Sequence, residues 1–213
     1  MLPIFNVAKY AWMINTINIS DRVVKQYAGG WLNGLRHGYG NITYSNNDTY
    51  TGNWLINKFH GVGIYTQINR RVFDCVWKNG SPKGDCNVQF YNGDSYTGYW
   101  DAYNGVGNGI FKWKDGHKFT GMWYLKTFQC TSCTNATGIF DWTNGDSYTG
   151  SIVNSLLDGT GTYFWNTSHV YKGDWKRNKP HGIGYYSNDI NNIDVLLTLT
   201  AESSLRTLNS PPL

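Results

Sequence analysis

Five histidines, four cysteines and a recurring Gly-x-Gly are the features of this 213-residue chain that could carry chemistry. A catalytic centre needs a nucleophile, a base and an orienting group, or paired carboxylates in a pocket. His37, His60 and His181 each stand directly before a Gly-x-Gly, at equivalent places in separate segments. A side chain that recurs in this way belongs to a repeated module, not to one reaction centre. The glycine pairs themselves, Gly182 and Gly184 for example, have no following helix on which a phosphate could rest, so they are not a nucleotide loop. Cys130-Thr131-Ser132-Cys133 is a lone CxxC without a second pair or histidines at zinc spacing, and reads as two loop thiols able to pair. We therefore assign no catalytic residue, no cofactor and no metal, and expect a chain that is not an enzyme.

What must position these residues is a repeat. Tyr27-Ala28-Gly29-Gly30-Trp31, a short polar turn and Gly38-Tyr39-Gly40 form a frame that restarts at Tyr50, Phe73, Tyr96, Phe119, Tyr148 and Tyr171. Each step is 23 residues except one of 29, between Phe119 and Tyr148. Self-similarity at such a period governs the fold. Position 1 is aromatic throughout; position 3 is Gly29, Gly52, Cys75, Gly98, Gly121, Gly150 and Gly173; position 5 is Trp31, Trp54, Trp77, Trp100, Trp123, Ile152 and Trp175. Large, glycine, large at period 2 predicts a strand with its rings on one face. Asn33-Gly34 and Asn79-Gly80 predict tight hairpin turns, because both residues tolerate positive φ. With a four-residue turn setting the register, positions 3, 12 and 14 share the ring face and leave floors on which neighbouring rings lie flat. A ring burying roughly 150–250 Å² at about 25 cal/mol per Å² outweighs the glycine penalty of about 0.5–1 kcal/mol. The expected fold is all-β: an elongated single antiparallel sheet of seven stacked 23-residue β-hairpins over 27–187. Fourteen strands at about 4.8 Å spacing would make a rod about 65 Å long.

Tyr-x-Gly-x-Trp-x-x-Gly-x-x-x-Gly-x-Gly closely resembles the MORN repeat (membrane occupation and recognition nexus), seven times in register. The departures are local: Cys75 and Cys86 in the third copy, an insertion in the fifth, Ile152 in the sixth. The resemblance implies a non-catalytic scaffold or adaptor of membrane junctions, axonemes or division structures. It also implies phospholipid binding as an alternative. MORN arrays accompany phosphoinositide kinases and lysine methyltransferases as well, but the 26 residues after the last repeat are too few for either catalytic domain.

Residues 1–26 are expected to cap the first sheet edge, through strands at Tyr10 to Ile14 and Ile17 to Ile19, since a bare edge invites pairing. Residues 188–213 are expected to cap the other end, as a helix opened by Asn188-Asp189 or as a strand from Val195 to Thr200. Cys75 and Cys86 replace glycines predicted to lie directly opposite each other. Two readings stand, buried thiols filling space or a cross-strand disulfide, and a reducing compartment favours the first.

Composition bounds the partners. A net charge of +4 with 15% charged residues gives no reason to expect nucleic acid, and no 18-residue apolar run suggests a membrane-spanning helix. The start lacks the features of a secretory signal, so the expectation is a cytoplasmic protein associated with membrane or cytoskeleton. A single sheet must cover its ring face by curvature, by its termini, by a second copy or by a partner. The expected partner groove, seating a helix or extended peptide, is Tyr27, Trp31, Tyr50, Trp54, Phe73, Trp77, Tyr96, Trp100, Phe119, Trp123, Tyr148, Tyr171 and Trp175. A basic turn edge of Arg36, Lys58, Lys78, Lys83, Lys126, Lys176, Arg177 and Lys179 would suit an anionic membrane. The opposite edge carries Asp48, Asp94, Asp115, Asp146 and Asp189.

Overall fold

The computed structural model describes residues 22–125, 134–188 and 193–199. Every regular element among them is a strand: β1 (Val24–Leu32), β2 (Leu35–Tyr44), β3 (Thr49–Leu55), β4 (Lys58–Gln67), β5 (Arg71–Lys78), β6 (Ser81–Phe90), β7 (Ser95–Asp101), β8 (Val106–Lys112), β9 (Lys118–Leu125), β10 (Thr134–Asp141), β11 (Ser147–Val153), β12 (Leu156–Phe164), β13 (His169–Lys176), β14 (Lys179–Asn188) and β15 (Ile193–Leu199). The chain divides between Lys114 and Asp115 into two compact units, the first holding β1–β8 and the second β9–β15. Within each unit the strands follow sequence order, and each paired neighbour is antiparallel. The expected all-β architecture of stacked hairpins is what forms. The N-terminal strand expectations, Lys126, Cys130 and Cys133 lie outside the described residues.

Five hairpins close through two-residue turns whose central pair has positive φ: Asn33-Gly34, Ile56-Asn57, Asn79-Gly80, Asn154-Ser155 and Arg177-Asn178. Such turns match the right-handed twist of the strands they join. Asn-Gly announces two of them. Ile56, with φ 49°, gives no sequence signal, because a β-branched residue rarely enters that region.

The register expected from a four-residue turn is reached in two ways. Between β7 and β8 the turn does have four residues, since Asp101 faces Val106 and Gly98 faces Gly109. In the hairpin of β3 and β4 the turn is two residues shorter and a bulge restores the difference. Trp54 faces Phe59 and Gly52 faces Gly63, so Asn53 stands against His60, Gly61 and Val62. Gly61 takes φ 60° in that bulge. This corrects the role given to position 12. Its glycine there serves backbone curvature, while the ring floors are positions 3 and 14.

Of the C-terminal segment, residues 193–199 form strand β15 and not a helix; residues 189–192, Asp189 among them, and 200–213 lie outside the described residues. Tyr186 faces Val195, Gly184 faces Leu197 and Gly182 faces Leu199. The β-branched Ile193, Val195 and Thr198 suit a strand, and β14 would otherwise end the second unit with a bare edge.

Candidate functional site

The ring face is assembled one repeat at a time. The position-1 tyrosine folds back over the glycine pair of its own hairpin, and its hydroxyl donates to the carbonyl three residues on. Tyr27 reaches Gly30 at 2.9 Å, Tyr50 reaches Asn53 at 2.8 Å, Tyr148 reaches Ser151 at 3.0 Å and Tyr171 reaches Asp174 at 3.2 Å. A Cβ added at Gly52 would lie 2.8 Å from the Tyr50 hydroxyl, and one at Gly63 would run into the same ring. Glycine is therefore required there by a close approach and not by backbone conformation.

The position-5 tryptophan joins consecutive repeats. Trp54 meets Tyr27 of the preceding repeat edge-on at 5.4 Å and its own Tyr50 at 5.2 Å. Trp175 sits in the same way between Tyr148 at 5.5 Å and Tyr171 at 5.4 Å. Its indole N–H donates to the position-14 carbonyl one repeat back: Trp54 to Gly40 at 3.1 Å, Trp77 to Gly63 at 2.7 Å and Trp175 to Gly161 at 3.2 Å. Edge-to-face contacts of this kind contribute about 0.5–1.5 kcal/mol beyond the area they bury.

This packing changes the meaning of the aromatic groove. Tyr50, Trp54, Phe73, Trp77, Tyr96, Trp100, Phe119, Trp123, Tyr148, Tyr171 and Trp175 are all buried and constitute the core. The glycine floors hold the chain's own rings, as expected, and that packing closes the face on which a partner groove was expected. Of the groove residues, Tyr27 is half-buried and only Trp31 is exposed, at 61%.

The basic edge is brought together only in part. Lys58, Lys78, Lys176, Arg177 and Lys179 are exposed. Arg36 instead lies over the Trp54 ring at 4.6 Å and donates to Asn57 of the next turn at 2.9 and 3.1 Å. Lys83 pairs with Asp101 at 3.0 Å. Burial alone would raise the Asp101 carboxyl. The Lys83 ammonium and the Asn104 donors reverse that and hold it below the ordinary carboxylate range. Lys176, Arg177, Lys179 and His181 line a shallow opening of about 260 Å³ on the hairpin of β13 and β14.

The opposite edge is not a row of free carboxylates. Asp48, Asp94 and Asp146 are buried. Asp146 accepts from the Asn166 amide at 2.9 Å and the Tyr163 hydroxyl at 2.8 Å, one repeat on. Asp48 does the same with Ile68 at 3.0 Å and Tyr65 at 2.8 Å, and adds an ion pair with Arg22. Sequence reading missed this anchoring role, although Asp two residues before Tyr50, Tyr96 and Tyr148 was its signal. Burial, opposed by Arg36 and Arg22, pushes Tyr44 up to about 12; burial, opposed chiefly by Arg22, does the same for Tyr65. Burial and then the Asp146 carboxylate raise Tyr163 further.

Cys75 and Cys86 face each other across β5 and β6, with Cα atoms 4.1 Å apart, and are joined in a disulfide. It occupies the floor that glycine pairs leave elsewhere, and the ring beside it is Phe73, which has no hydroxyl to place. The histidines stay in the module. His37, His60 and His181 keep equivalent half-buried places, and His169 bonds the Tyr186 hydroxyl at 2.7 Å.

Residues 27–49, 50–69, 148–170 and 171–189 match the MORN repeat family. The chain is a MORN repeat protein. The hairpins between the matched stretches keep the MORN register, with Cys75 facing Cys86, Gly98 facing Gly109 and Gly121 facing Gly138. No curated protein matches the chain.

Proposed function

We propose that this MORN protein is a non-catalytic scaffold that binds a protein partner on the strand face opposite its rings. The observation that carries the reading is an apolar patch on that face in the first unit. Tyr39, Val62 and Ile64 are exposed to 65, 63 and 46%. Val62 faces Val76 across β4 and β5, Ile64 lies two residues further along the same face, and Asn53 separates Tyr39 from them. Side chains on this face point away from the rings, and these large apolar ones are left in water. A patch of this kind, rimmed by polar side chains such as Asn41 and Asp74, suits an amphipathic helix or an extended peptide. Proximity labelling in the native cell tests it. A Val62→Lys, Ile64→Lys chain should melt as the wild type does and lose its neighbours. An unchanged set of neighbours would count against the patch.

The three cations at the turn between β13 and β14, Lys176, Arg177 and Lys179, favour a second reading, a module for anionic membrane surfaces, each near-surface charge contributing about 1 kcal/mol. Sedimentation with liposomes containing or lacking an anionic lipid separates the two. The scaffold reading expects no lipid-dependent pelleting. The membrane reading expects pelleting that Lys176→Glu with Arg177→Glu abolishes.

A further inference from the structure

The junctions where β2 meets β3, β4 meets β5, β6 meets β7 and β12 meets β13 share one register, in which a glycine of the outgoing strand faces the tryptophan of the incoming one. In its full form the outgoing strand offers Gly-x-Gly-x-aromatic and the incoming strand aromatic-x-Gly-x-Trp. Where β12 meets β13, Gly159 faces Trp175, Gly161 faces Gly173 and Tyr163 faces Tyr171. Among the described residues the half at β1 meets no partner strand, and the half at β14 is met by a strand without rings. At β1, Trp31 has its own Tyr27 at 5.0 Å, but no preceding repeat supplies the second tyrosine or the glycine carbonyl that Trp54 and Trp175 use. Among the described residues β1 pairs only with β2, and Trp31 and Leu32 are exposed.

At the other end, β14 ends in Gly182-Ile183-Gly184-Tyr185-Tyr186, a complete outgoing half. The strand on it, β15, takes the register of an incoming strand, with Val195 in position 1, Leu197 in position 3 and Leu199 in position 5. It is an eighth repeat's first strand without the ring, the glycine or the indole. It can supply the backbone ladder of a junction but not the edge-to-face contacts or the indole hydrogen bond.

We propose that β15 is a stop strand, and that its displacement lets β14 of one copy receive β1 of a second copy, head to tail. In that pairing Gly184 faces Gly29 of the second copy, Tyr186 faces its Tyr27 and Gly182 faces its Trp31. The Trp31 indole then gains Tyr171 and the Gly184 carbonyl, as Trp54 and Trp175 gain theirs from the preceding repeat. Pairing of β1 with another β1 fits worse, because centring it on Gly29 sets Trp31 against Tyr27 where the internal rule sets it against glycine. Tethering favours β15 in the single chain, at an effective concentration in the millimolar range. The contact is heterologous, so it extends rather than closing on itself.

The full-length Leu197→Pro chain tests this by sedimentation velocity, proline being poorly tolerated inside a paired strand. The wild type should run as a monomer and the variant as a concentration-dependent series of oligomers. Adding Trp31→Ala should return it to monomer. A folded Leu197→Pro chain that stays monomeric, or oligomers indifferent to Trp31→Ala, would overturn the proposal. A second measurement does not depend on disturbing β15. A labelled peptide of residues 179–187, the outgoing strand alone, should bind the wild-type chain by fluorescence anisotropy, and binding should be lost with Trp31→Ala. No binding to the wild type, as when residues 1–21 of the same chain already hold the β1 edge, also overturns it. Val62→Lys with Ile64→Lys should leave both measurements unchanged, so this proposal and the scaffold reading fail separately.

Discussion

At the residue scale, one side-chain type has two environments. Trp100 is buried, whereas Trp31 is mostly exposed and has Tyr27 as its one ring neighbour among the described residues. Trp100→Ala should cost about 3–5 kcal/mol in a urea melt, as large core truncations do. Trp31→Ala should cost under about 1 kcal/mol, as exposed substitutions do. Equal costs would mean that the repeat position, and not burial, sets the energy. The buried phenols make a second residue-scale prediction. Tyr44 and Tyr65, pushed up to about 12 chiefly by burial, are held neutral in the fold. A folded pKa above the unfolded value near 10 leaves their contribution intact below about pH 10. It is lost as pH rises from there through about 12. Tyrosinate absorbance of these residues should therefore appear together with unfolding across that window. Titration of all tyrosines at their ordinary value, in a chain that stays folded, would contradict it.

At the scale of the element, much was legible and the reasons for the rest are specific. Period-2 alternation of ring and glycine placed the strands, and Asn-Gly placed two of the turns. The register came out right for a reason that sequence could not supply, since a two-residue turn plus a bulge equals a four-residue turn in its net offset. Hence position 12 was misjudged as a ring floor: glycine has the same letter whether it yields room or a left-handed φ. The aspartates were read as surface charge because their partners, the Ile68, Lys114 and Asn166 amides, lie one repeat away. The third hairpin is the exception that helps most. Its Cys75–Cys86 link spans a separation of 11 residues, worth about 2–3 kcal/mol by loop closure. Reductant should lower the unfolding free energy of the wild type, read from urea melts, by that much and leave that of the Cys75→Gly, Cys86→Gly chain unmoved. A wild-type melt indifferent to reductant would show that the thiols do not pair in solution.

At the scale of the whole molecule, the family and the stacked hairpins were readable from the sequence, but the use of the ring face was not. The repeat pattern shows that rings and glycine floors share a face. Only coordinates show that each ring folds onto its own hairpin and leaves no open groove in the interior repeats. The proposed functions therefore rest on what the packing leaves over: the apolar patch around Val62, the cationic turn at Arg177 and the exposed ring of Trp31. That the rings are core and not binding surface is the central claim. Hydroxyl-radical footprinting of the intact chain, read at each tryptophan by mass spectrometry, tests it most directly. Trp31 should oxidise many-fold faster than Trp54, Trp77, Trp100, Trp123 and Trp175. Comparable oxidation of all six would mean an open aromatic groove and would contradict the account.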